Sequence, residues 1–127
     1  QSFQNPGWCR ERGLLGLNDS KEWIDDLAMG KELILSRRVV NSMQSVGGRP
    51  YHPMQSVGLY PTSGTSEDYA FSRSQTNPSL NKVYGFTMEF GYPTNFYPTL
   101  AEFQNNVIDT GAGFMEFCLA AADLGLK

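Results

Sequence analysis

The side chains able to do chemistry are few. The chain has one histidine (His52), two cysteines (Cys9 and Cys118), and a set of carboxylates in which Glu89 and the neighbours Glu67 and Asp68 are the acid–base candidates. Glu89 lies near the end of Val-Tyr-Gly-Phe-Thr-Met-Glu-Phe, 83–90, whose other side chains suit a strand sheltered on both faces. A carboxylate there needs water, a cation or a partner. An edge-facing, solvated glutamate and a pocket-facing one both fit the pattern. Glu67-Asp68, taken alone, reads as a solvated loop pair. Cys9, His52 and Cys118 include the donor types of a zinc site. No two of them are close in sequence, which argues against zinc held by this chain alone. His52, between Tyr51 and Pro53, reads as a surface or packing residue. Ser63 and Ser66 sit near Gly64, but the Gly-x-Ser-x-Gly turn of a serine hydrolase is absent. Gly47-Gly48-Arg49 follows a helix instead of opening one, so it is no phosphate loop.

The elements that must position these residues come from a chain of 127 residues, 40% hydrophobic, 13% aromatic and 18% charged. Such a chain can bury roughly two-thirds of its surface around one core. The aromatic content excludes a disordered acidic tail, and two cysteines exclude a disulfide-dense scaffold. A net charge of −3, with no basic run beyond Arg37-Arg38, excludes a general nucleic-acid surface. No apolar run approaches a membrane span. No charged-then-apolar leader opens the chain, so no signal peptide is expected, and Gln1 suggests processing or excision. Cys9 and Cys118 can be one long-range disulfide or two separate thiols; the spacing leaves both open.

Residues 1–20 read as irregular, with Asn18-Asp19-Ser20 a turn or helix cap. Residues 31–46 predict a helix with the stripe Leu35, Val39, Met43 and Val46, ended by Gly47-Gly48. Val57 to Tyr60 predict a short strand stopped by Pro61, and Thr62 to Ser66 a polar loop. Residues 72–82 predict a surface loop, 83–90 a strand, and 91–98 an aromatic loop. Thr99-Leu-Ala-Glu102 is a capping box. It opens a helix over about 100–124, with Leu100, Phe103, Val107, Phe114, Cys118, Ala121 and Ala122 as its buried face and Gly125 as its stop. Gly111 and Gly113 weaken its middle, for close packing. The order predicts an α/β fold. Two strands do not make a stable sheet, so further strands must come from another chain, a missing segment or self-association.

Several strings resemble the zinc carboxypeptidase family, specifically its C-terminal part. The strongest is Leu59-Tyr-Pro-Thr-Ser-Gly-Thr-Ser-Glu-Asp-Tyr-Ala-Phe, 59–71, similar to the family's tyrosine-bearing substrate loop. Gly85-Phe-Thr-Met-Glu-Phe-Gly, 85–91, looks like the strand with its catalytic glutamate. Asn95-Phe-Tyr-Pro-Thr-Leu-Ala-Glu-Phe looks like the entry to its final helix. A weaker match is Gln1-Ser-Phe-Gln-Asn-Pro, followed by Arg12-Gly13 and Glu22-Trp23-Ile24. Order and spacing fit across nearly the whole of 1–127. The combination is specific; no single piece is.

The resemblance implies the C-terminal portion of a mixed-sheet fold with a long terminal helix, in a secreted, extracellular enzyme that removes C-terminal amino acids from peptides. Glu89 matches the general base, which takes a proton from a zinc-bound water and returns it to the leaving amine. Tyr60 matches the mobile tyrosine that contacts the substrate's last residue. Glu67 matches the base of the side-chain pocket, where an acid favours terminal Lys or Arg, and Thr87 lines the same pocket. Zinc is implied for the complete enzyme. Its His-x-x-Glu pair, its further histidine and the arginines that clamp the substrate carboxylate are absent here and expected upstream. The partners implied are peptide C-termini and the zinc-binding part of the domain. Two other readings stand beside this one: a non-catalytic peptide-binding module, and a self-associating α/β piece whose sheet edges pair between copies.

Overall fold

The computed structural model describes residues 25–59 and 64–126. Among them are four helices: α1 (Asp26–Gly47), α2 (Ser56–Leu59), α3 (Ser66–Thr76) and α4 (Leu100–Asp123). The chain divides into two compact units. One comprises Gln1–Glu32 and Met54–Thr87, the other Leu33–Pro53 and Met88–Lys127. The first turns of α1 belong to the first unit and the remainder to the second.

The helix ends follow from local chemistry. Asp25 opens α1 by accepting the Ala28 amide on its carboxylate at 2.8 Å and the Met29 amide on its carbonyl at 3.0 Å. This cap sets the start five residues before the one expected. Gly48, at φ +69°, follows the last helical residue, and its amide donates to the Gln44 carbonyl. The capping box of α4 is present: the Glu102 amide donates to Thr99 Oγ1, and the Thr99 amide to Glu102 Oε2. At its other end Gly125 adopts φ +66°. The Leu126 amide donates to the Ala121 carbonyl and the Gly125 amide to that of Ala122, a Schellman closure.

In the first unit Ala28, Met29 and Phe71 are buried. Tyr84 meets Phe71 edge-on at 6.2 Å. The second unit is centred on Leu35, Val39 and Met43 of α1 packed with Ala120 of α4. Tyr51, Met88, Phe117, Leu124 and Leu126 surround them. Three of the four expected stripe residues are therefore core, while Val46 is exposed. Gly113 explains one weak point of α4: a Cβ there would lie 2.8 Å from Met43 Cγ, so the helices approach where only hydrogen fits.

Two of the larger expectations fail. The fold is helical, not α/β. Among the described residues there is no strand, only an isolated bridge between Tyr92 and Asn95. Residues 83–90 have strand-like composition but form no strand with another described segment. Val83, Phe86 and Phe90 are exposed in consequence. Of the other predicted strand, 57–59 fall in or at the end of the short α2, and Tyr60 lies outside the described residues, as do the whole of 1–20 and its predicted cap. Residues 72–76 also differ from expectation, being the end of α3, a solvated helix capped by Thr65.

The second failure concerns the face that α4 buries. Leu100, Phe103, Val107, Phe114 and Cys118 are exposed, while Asn106, Asp109, Ala112, Gly113 and Ala120 are buried. The acids of this helix recur at Glu102, Asp109, Glu116 and Asp123, a seven-residue spacing that keeps them along one side. Arg38 of α1 donates to Glu116 and Asp123, and Arg49 to Asp109. Ion pairing and the close approach at Gly113 turn the acidic, small-residue side inward.

Candidate functional site

Glu67 occupies the first turn of α3, behind the cap in which Thr65 accepts the Asp68 amide at 3.3 Å. Its carboxylate accepts Thr87 Oγ1 at 2.9 Å and Ser66 Oγ at 3.0 Å. The segment bearing Thr87 passes tightly here: a Cβ on Gly85 would fall 2.5 Å from Glu67 Cβ and 2.6 Å from its Cα. Glu67's own backbone amide, together with the hydroxyls of Thr87 and Ser66, holds its carboxyl pKa below the usual glutamate value against a partial desolvation. The result is a carboxylate charged at neutral pH and fixed by two hydroxyls, a recognition group for a cation.

Of the four residues singled out from the sequence, Glu67 and Thr87 are thus brought together. Tyr60 lies outside the described residues. Glu89 belongs to the second unit and is exposed. Glu67-Asp68 is not a loop pair but the acidic first turn of a helix, where the dipole favours negative charge. His52 is exposed. Cys118 carries a free, exposed thiol, and its possible partner Cys9 lies outside the described residues. No group of three His, Cys, Asp or Glu side chains able to hold a metal ion occurs among the described residues. None of their helices is long and apolar enough to cross a membrane.

Two further features escaped the sequence reading. Glu32, at the point where α1 leaves the first unit, is pushed up to about 7. Burial contributes most, and repulsion from Asp25 and Asp68 adds to it, while Lys82 opposes the shift. Lys82 itself donates to Asp25.

The other feature is a buried polar cluster in the second unit. Asp109, fully buried, accepts Arg49 Nε at 2.8 Å and Tyr51 Oη at 2.7 Å. Arg49 Nη1 donates to Asn106 Oδ1 at 2.7 Å. Its guanidinium carbon lies 4.6 Å from the centre of the Tyr92 ring and 5.7 Å from that of Tyr51. Burial works against the Arg49 charge, but Asp109 outweighs it and holds the guanidinium more firmly protonated. Burial and then the bond to Asp109 push the Tyr51 phenol up to about 12. Asp109 Oδ1 has no hydrogen-bond partner, and it faces Gly47, where a Cβ would come within 2.0 Å. The legible signal was the recurrence of acids at 102, 109, 116 and 123, which no apolar periodicity search weighs.

Comparison with descriptions of known protein families, with characterised proteins and with solved structures finds no match. The carboxypeptidase resemblance therefore stands on the motifs themselves.

Proposed function

We propose that this chain is the C-terminal part of a zinc-dependent carboxypeptidase that removes C-terminal residues, with a preference for Lys and Arg, from peptides outside the cell. The observation that carries the reading is the bond between Thr87 and Glu67. Two residues that the motifs assign to one substrate pocket, 20 positions apart, meet there around a charged carboxylate. Glu67 supplies the anion for a basic terminal side chain, and Thr87 orients it. Tyr60 contacts the terminal residue. Glu89 accepts a proton from the attacking water and delivers it to the leaving amine. The described residues do not fit a zinc site. On the resemblance, the zinc ligands belong to another part of the enzyme, and the 127-residue chain alone does not hydrolyse peptides.

The test is an assay of the protein that carries this chain, supplied with zinc, on peptides ending in Lys, Arg or Phe. Glu89→Gln should lower kcat by about a thousand-fold or more with little change in KM. Glu67→Ala should lower kcat/KM for Lys and Arg termini by about ten- to a hundred-fold and leave Phe termini nearly unchanged. Failure of the unaltered protein to release any C-terminal residue defeats the proposal; equal rates on Arg and Phe termini defeat the role of Glu67.

A further inference from the structure

The outer side of α4 presents Leu100, Phe103, Val107, Ile108, Phe114, Met115 and Leu119, each more than half exposed. At 100° per residue they fill an arc of about 160°. None of the four acids of α4 falls on that arc, and the helix has no Lys or Arg. Gly111 lies at the middle of the arc, and a Cβ placed on it meets nothing within 4 Å. Nothing in the described chain requires a glycine there, yet an exposed mid-helix glycine weakens a helix. Gly113 is different: its missing side chain is explained by Met43.

We propose that this face is a self-association surface on which a second copy of the chain packs its own α4, antiparallel, with the two helices crossing at Gly111. Three observations select a second copy as the occupant. The exposed side chains amount to on the order of 800 Å² per copy, the area one partner contributes to a standard stable interface. The face is free of charge, so a chain of net charge −3 meets its like without repulsion at the contact. The pattern is also self-complementary about Gly111, as a two-fold contact requires. An axis through that residue sets Val107 against Met115, Ile108 against Phe114, Phe103 against Leu119 and Leu100 against Ala122. Gly111 meets itself, where absent side chains allow close approach of the backbones. The same axis sets the free thiol of Cys118 against Gln104 of the other copy. This surface is helical, unlike the paired sheet edges expected from sequence, and the inference does not rest on the carboxypeptidase reading.

The experiment combines mass measurement with a cross-link. Sedimentation equilibrium of the 127-residue chain at high micromolar concentration should return about twice the 14.1 kDa chain mass. Gly111→Leu should raise the dimer dissociation constant by at least about ten-fold, with helical circular dichroism retained because leucine is the better helix former. In a Cys9→Ser background, Gln104→Cys should give a covalent dimer on mild oxidation, and Cys118→Ser should abolish it. Positions 104 and 118 lie ~21 Å apart along one helix, beyond the ~7 Å limit for a disulfide, so the bridge can only join two copies. A chain that remains monomeric overturns the proposal, whatever other protein or segment covers the face. A dimer that is indifferent to Gly111→Leu and forms no bridge also overturns it.

Discussion

Replacing Arg49 by methionine should destabilise the second unit more than any single change on its surface. Methionine keeps an aliphatic stem between Tyr51 and Tyr92 but removes the charge. Asp109 is fully buried and would retain only the Tyr51 hydroxyl at 2.7 Å, having lost the Nε bond at 2.8 Å and the adjacent Nη2 charge. Breaking one side of a buried ion pair costs about 3–5 kcal/mol, because the surviving charge stays buried without compensation. Losing the bond to Asn106 adds to this. Set against a total stability of about 5–15 kcal/mol, that is a large fraction. The assay is urea unfolding at pH 7 followed by circular dichroism. At a slope of roughly 1.5 kcal/mol/M, the midpoint should fall by about 2–3 M. Arg49→Met combined with Asp109→Asn removes the orphaned charge and should recover part of the loss, with a coupling of about 1–3 kcal/mol. A loss below about 1 kcal/mol for Arg49→Met, or strict additivity in the double variant, would refute the account of a charge pair that organises this unit.

Two other outcomes follow from the structure. Gly47→Ala should destabilise by about 1–3 kcal/mol despite the better helix propensity of alanine. Its Cβ would come within 2.0 Å of Asp109 Oδ1, on a carboxylate that Arg49 and Tyr51 hold in place. A neutral or stabilising effect in the same urea assay would contradict this. For Glu32, the folded-state value of about 7 lies above the ordinary glutamate value of 4.5, so the folded chain binds the proton more tightly than the unfolded one. Its contribution is full below pH 4.5 and is lost as pH rises through about 7. Between pH 5 and 8 the loss should be on the order of 2 kcal/mol after solvent screening. Glu32→Gln should flatten that part of the stability profile; an unchanged slope removes Glu32 as its source.

Several elements were legible because their causes are local. The box Thr99-x-x-Glu102 satisfies its amides within one turn, and Gly125 ends α4 through a positive φ that needs no distant partner. The stripe Leu35, Val39 and Met43 was legible because a 3.6-residue period carries the information. The 83–90 segment was misread because its composition states a preference for pairing without naming a partner. Asp25 as a cap was overlooked because the apolar stripe begins later than the helix.

The sequence by itself determined where the long helices run, how α4 begins and ends, and which carboxylates were candidates for chemistry. Tertiary structure alone decided which side of α4 faces inward. Apolar area favoured burying Leu100, Phe103, Val107 and Phe114. The arrangement present instead buries Asp109 against Arg49, pairs Glu116 and Asp123 with Arg38, and closes on Met43 at Gly113. Those contacts join residues about 60 to 85 positions apart. The seven-residue recurrence of acids puts Asp109, Glu116 and Asp123 on one side of α4 but does not name their partners, since charge complementarity and close approach exist only once both helices are in place.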